Sequence, residues 1–138
     1  MRSAELGLIG LILDGMAEMD VALKDALQVD GAIAAALVDH GSGMALGTAG
    51  GDSSFDVTVA AAANTEVLRA KLRTMEMLGL RESVDDILVT LESQYHLLRP
   101  ITGRSGRGLF LYLALRKDRA NLALARHRLR MIEQALEI

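Results

Sequence analysis

The chain has 138 residues, the size of one ordinary domain, a formal net charge of −3, and neither cysteine nor tryptophan. The lack of cysteine excludes a disulfide-stapled scaffold, a thiolate zinc site and a cysteine nucleophile. Hydrophobic residues make up 51% of the chain but aromatic residues only 3%, so a base-stacking surface for nucleic acid is not expected.

The first third of the chain predicts a helix and a hairpin. Apolar residues at spacings of three and four predict a helix from Ser3 to about Leu27. Residues 32–38 form an apolar run of strand length, and Met44 to Ala49 alternates as a second short strand. A Gly- and Ser-rich turn lies between the two runs, so we predict a β-hairpin.

A long helix is predicted next, from about Ser54 to Leu78. Ser53 or Ser54 can cap its first free amides, and Gly79 can supply a left-handed stop. From Ala60 to Ala63 no side chain is larger than a methyl group. Such a segment allows another backbone to approach closely.

Three strands and a final helix complete the prediction. The strand candidates are Asp86 to Glu92, Tyr95 to Arg99 and Leu109 to Leu115, and the helix runs from about Asp118 or Arg119 to Leu136. Both faces of the third candidate are apolar, which predicts a position inside the sheet. The order α-β-β-α-β-β-β-α predicts a single α+β domain over residues 1–138. Its five-stranded sheet is expected to be mainly antiparallel, with helices on both faces.

No segment predicts a membrane span. The longest apolar run, Leu6 to Leu13, is far shorter than the ~20 residues that a spanning helix needs. It is followed by an acidic residue rather than by a small-residue cleavage site. A cytoplasmic protein is therefore expected.

Charge divides sharply along the chain. Residues 1–94 carry six Lys and Arg against fifteen Asp and Glu, whereas residues 95–138 carry nine against three. Such a split can mark a nucleic-acid face, two faces of one fold, or a surface that attracts an acidic partner. The basic residues are not interleaved with aromatic ones, so no nucleic-acid partner is expected.

A Gly- and Arg-rich loop over residues 103–108 is the one candidate anion contact. Its backbone amides and the side chains of Arg104 and Arg107 could hold a phosphate. A P-loop would need Gly-Lys-Ser/Thr leading into a helix, whereas this loop leads into a strand. A solvated hairpin loop is the favoured interpretation. Some arginine between residues 99 and 119 could also enter a nucleotide site in trans, although a solvated basic surface is favoured.

No catalytic residue, metal ligand or cofactor site is predicted. His40, His96 and His127 do not have the short spacing that is typical of metal ligands, and nothing indicates a catalytic triad. Asp85 and Asp86 would point to opposite faces of a strand and are therefore poorly placed to act as a joint acid and base. We expect these charges to discourage uncontrolled pairing of an edge strand.

The apolar surplus itself is informative. Three helices cannot easily cover both faces of so small a sheet, and the strand after the middle helix could lie at an edge. Spare apolar surface next to an open edge predicts self-association. The residues expected at that contact are Leu68, Leu72, Met75, Ile87, Val89 and Leu91.

Two local stretches carry a resemblance to a known family. From Val29 to Asp39 the chain has a helix end, a glycine, a small apolar strand and an aspartate. Residues 41–43 form a turn that leads into Met44 to Gly47. Together with the Ala-rich middle helix and the last strand and helix, these stretches resemble the roadblock / dynein light-chain family over about residues 10–136.

The resemblance implies a homodimer in which the middle helices pack together and the following strands join edge to edge. For bacterial members it also implies a small Ras-like GTPase as partner. The chain would then be a non-enzymatic regulatory or scaffold module. The alternative is a small-molecule sensor for an anion or nucleotide, with the basic region over residues 99–119 as its contact.

Overall fold

Eight elements follow one another in the predicted order. The computed structural model describes residues 3–102 and 108–136. The elements are α1 (Ser3–Leu27), β1 (Ala32–Asp39), β2 (Met44–Gly50), α2 (Val57–Met77), β3 (Ile87–Thr90), β4 (Gln94–Pro100), β5 (Leu109–Arg116) and α3 (Leu122–Ala135). None of the helices in this described part is long and apolar enough to cross a membrane.

The five strands form one antiparallel sheet in the order β2-β1-β5-β4-β3. β5 lies in the middle and is buried on both faces, as its two apolar faces predicted. β3 lies at one edge, which confirms that expectation, and β2 lies at the other. The α+β class and the antiparallel sheet are thereby confirmed.

Two separate apolar layers hold the helices to the sheet. α1 and α3 cover one face, where Leu23 and Leu129 meet Leu113 of β5 and its neighbours. α2 covers the other face, where Leu68 belongs to the same cluster as Phe110. One face therefore carries two helices and the other carries one.

The start of α2 differs from the prediction. The cap is Asp56, whose carboxylate accepts a hydrogen bond from the Val59 amide. Ser54 instead donates to Asp52, from its hydroxyl and from its amide, within the preceding turn. A short polar side chain caps a helix only where the backbone leaves the extended region. That transition occurs two residues after Ser54.

The end of α2 is as predicted. Gly79 has a φ of +69°, and its amide donates to the Glu76 carbonyl while the Leu80 amide donates to Met75. This pair of bonds is the Schellman motif, in which glycine adopts the left-handed conformation without steric cost.

Two ion pairs attach the β3–β4 end of the sheet to α3, one from the residue before β3 and one from β4. Asp86 accepts hydrogen bonds from Arg126 of α3 at 2.9 and 3.0 Å. Arg99 donates to Glu133 at 2.8 Å, and both side chains are mostly buried. Asp86 is thus engaged within the chain, which corrects its expected role as a charge that repels a pairing strand.

Candidate self-association surface

The six residues predicted for self-association divide into two groups. Leu68 is fully buried and Met75 is 8% exposed, so both pack inside the single chain. This burial corrects their assignment to a contact surface. Leu72, Ile87 and Val89 are half-buried, and Leu91 is 43% exposed just beyond β3. For these four residues the interface assignment stays a prediction.

Arg69 fixes α2 over one half of the sheet. Its guanidinium donates to the carbonyl oxygens of His40 and Gly41 in the β1–β2 turn, at 2.8 and 2.6 Å. The same side chain pairs with Glu66 at 2.8 Å. α2 accordingly packs against β1 and β2. The flank of α2 that carries Arg69 is turned towards the β1–β2 turn.

The opposite flank of α2 is lined by small side chains in its first half and carries Lys71 further along the helix. Successive helical residues turn by about 100°, so residues nine positions apart lie on opposite sides. Ala60, Ala63, Asn64 and Val67 lie on that far side, and we call these four residues the open flank. Ala63 is exposed, and Val67 is 39% exposed. A backbone can approach such a surface closely.

An apolar part of the sheet continues from α2 towards β3. Cross-strand partners share a face, and the pairs Ile87–Leu98 and Val89–His96 join β3 to β4. Leu98 is paired in turn with Tyr112 of β5, in the layer beneath α2. The side chains of β3 on this face remain half-buried because α2 packs over β1 and β2.

β3 also offers an open backbone edge. The Leu91 amide donates to the Gln94 carbonyl, so the backbone groups of Leu91 and Val89 point towards β4. In an antiparallel pair the direction alternates along the strand. The amide and carbonyl groups of Leu88 and Thr90 therefore point outwards, where a further strand could pair.

His96 of β4 is a half-buried histidine on this sheet face. Its Nε2 atom is 2.8 Å from Oε1 of Gln94, and its Nδ1 atom is 3.4 Å from the Tyr112 hydroxyl. The His96 ring meets those of Phe55 and Tyr112 edge to face, with centroids 6.1 and 5.5 Å apart. Burial lowers the pKa of His96 and raises the pKa of Tyr112 to about 12. Both groups are therefore neutral near pH 7.

Three solved structures with this architecture are similar to the chain. The Roadblock/LC7 domain from Streptomyces avermitilis has 16% identity and a TM-score of 0.72, over 84% of this chain and 92% of that one. The gliding protein MglB from Thermus thermophilus has 17% identity and a TM-score of 0.72, over 88% and 87%. MglC from Myxococcus xanthus has 23% identity and a TM-score of 0.61, over 86% and 96%.

The chain has the roadblock fold. The resemblance that its sequence indicated is thereby confirmed at the level of the fold. No protein-family model matches the sequence, and no curated protein matches it closely enough to indicate kinship.

The anion contact predicted at Arg104 and Arg107 stays a prediction, because both residues lie outside the part of the chain that the structure describes. The rest of the basic region over residues 99–119 can be compared with the structure. Arg99 is engaged by Glu133 and is not a solvated side chain. Arg116 pairs with Asp118 at 3.1 Å. A groove of about 630 Å³ beside Arg116 and Lys117 is also lined by three carboxylates, those of Asp52, Glu92 and Asp118, so its charge does not favour an anion.

His96 should make the stability of the roadblock fold depend on pH. Because its pKa is lowered from 6.5 in the folded chain, the unfolded chain binds the proton more readily. The free energy of unfolding should therefore be greatest above about pH 6.5 and fall as the pH drops through and below that value. Urea unfolding at several pH values measures this slope. The variant His96→Gln should show a flatter profile, and an unchanged slope would contradict the assignment.

Proposed function

We propose that the chain is a non-enzymatic homodimeric module that binds a small Ras-like GTPase and modulates it, as a regulator or scaffold. The observation that carries the proposal is the combination of a small-residue flank on α2 with an apolar sheet face that ends in an open strand edge. These features are contiguous, and a second copy of the same surface is complementary to them.

In the proposed dimer, a two-fold axis lies beside β3. Such an axis would bring Leu88 and Thr90 against the same residues of the partner, because a two-fold contact uses one patch on both copies. Two antiparallel β3 strands would then join the two sheets. The open flanks would meet above them and cover Ile87 and Val89. The apolar residues that α2 leaves half-buried would become interior.

The GTPase partner is supported by the neighbours in fold. MglB is described as a gliding protein in Thermus thermophilus, and one MglB structure has a tetrameric arrangement. Bacterial members of the roadblock family are expected to act beside small Ras-like GTPases. A non-enzymatic role agrees with the polar groups of the described residues, since Asp86, Arg99 and Glu133 are used in ion pairs within the chain.

Substitution on the open flank should break the dimer. Val67→Arg would place a charge without a partner between two closely packed helices, so we expect the dimer dissociation constant to rise about a hundredfold. Sedimentation equilibrium measures the change. Val59→Arg is the matched control, since Val59 lies on the same helix and is 62% exposed away from the sheet. Equal dissociation of both variants, or of neither, would contradict this geometry.

Substitution on the strand edge tests the second half of the interface. Thr90→Pro removes an amide that points away from β4, so the hairpin inside the chain should remain intact while pairing with a second β3 is lost. We expect a monomer whose circular dichroism spectrum is unchanged. Thr90→Ala keeps the amide and should remain dimeric. A dimeric Thr90→Pro variant that retains its fold would exclude edge pairing.

GTPase binding requires a separate experiment. The tagged chain is used to capture a small GTPase from its native cell, and GTP hydrolysis by that GTPase is measured with and without the chain. We expect stable capture, and for a regulator a changed hydrolysis rate. A scaffold would give capture with an unchanged rate. Failure to retain any small GTPase would contradict the proposed partner but not the dimer.

A further inference from the structure

The seam between α1 and α3 contains an apolar groove on the opposite side of the sheet from α2. The groove has a volume of about 280 Å³. α1 contributes a stripe at helical spacing, and α3 contributes the residues of its last turns. The lining residues are Glu18, Val21, Ala22, Asp25, Ile132, Ala135 and Leu136.

One wall of this groove carries a carboxylate oxygen without a partner. The Oε2 atom of Glu18 is shielded from solvent, and no donor within residues 3–102 and 108–136 reaches it. A buried carboxylate oxygen is costly unless it accepts a hydrogen bond or faces a cation. The surroundings of Glu18 in the groove are largely apolar. The Glu18 side chain is only half-buried and lines the groove, so a rotation of its carboxylate would turn this oxygen towards a second molecule.

The seam continues past the groove with exposed apolar side chains. Val21 on α1 is 66% exposed, and Met131 and Leu124 on α3 are 52% and 60% exposed. Asp25 and Arg128 form an ion pair across the seam at 3.2 Å and separate the groove from a second hollow that Met131 and Leu124 line. Apolar positions thus lie on both sides of this ion pair, and the Glu18 carboxylate lies in the groove on one side of it.

We propose that this seam binds an amphipathic helix of a protein partner that carries a Lys or Arg against Glu18. Apolar side chains of that helix, spaced at three and four residues, would fill the groove and cover Val21 and Met131. The cation would donate to the Glu18 carboxylate once that group turns into the groove, and would supply the donor that the described residues do not provide at Oε2. Charge complementarity selects this occupant, since an acidic or purely apolar helix would leave the carboxylate unpaired.

The seam is independent of the proposed dimer. α1 and α3 lie on one face of the sheet, whereas the open flank belongs to α2 on the other. A dimer would therefore present two seams, one on each copy. Loss of seam binding and loss of the dimer can be measured separately.

A pair of synthetic peptides tests the proposal on the full chain. One is a helix of about four turns with leucines at i, i+3, i+4 and i+7 and a single lysine, and the other has norleucine in place of that lysine. Fluorescence polarisation measures the binding of each. We expect the lysine peptide to bind about tenfold more tightly. Glu18→Gln should remove this preference, because the amide keeps the shape of the side chain but not its charge.

Three further variants control the test. Asp20→Asn removes a neighbouring charge on α1 that is exposed and paired with Lys24, and it should keep the preference for lysine. Ala135→Phe fills the groove and should prevent binding of both peptides. Glu18→Leu should raise the melting temperature of the free chain, because it removes the unpaired oxygen. Equal binding of both peptides by the native chain, or a preference that survives Glu18→Gln, would overturn the proposal.

Discussion

Five antiparallel strands at about 4.8 Å spacing span about 19 Å, whereas an α-helix with its side chains is about 10 Å wide. The central strand of this fold is buried on both faces and therefore needs cover on both. α1 and α3 together supply two helix widths on one face. α2 supplies only one on the other. Part of the sheet face under α2 therefore remains uncovered, and this part is the surface on which another molecule can pack.

The position of α2 decides which part of the sheet remains uncovered. Arg69 holds the helix against the β1–β2 turn, and Asp56 and Gly79 fix its two ends. Gly51 allows the chain to enter α2 so abruptly, since a Cβ atom there would collide with the side chain of Val57. With α2 fixed over β1 and β2, the half-buried residues of β3 lie beside it.

The sequence was sufficient for the order of elements, the hairpin, the edge position of β3 and the central position of β5. These features follow from periodicity and turn chemistry, which are local. The sequence was insufficient to predict which α2 side chains point towards the sheet and which point away from it. The stripe that contains Leu68 and Met75 follows from the sequence, but the contacts of Arg69 show over which half of the sheet the helix lies. Asp86 was misread for a similar reason, because its partner Arg126 is forty residues away.

The two surfaces of the chain have different chemistry. The open flank and β3 carry mostly small or apolar side chains, with Lys71 beside them, which suits a contact between identical copies. The α1–α3 seam combines apolar side chains with a carboxylate oxygen for which the described residues provide no donor, which suits a basic partner of another kind. The middle helix and the outer helices would thus serve different partners on opposite faces of one sheet.

The central claim is that the uncovered half of the α2 face is completed by a second copy. Sedimentation velocity of the native chain at micromolar concentration tests it most directly. The account predicts a species with twice the chain mass of 14.8 kDa. A single species of 14.8 kDa that persists as the concentration is raised would contradict it.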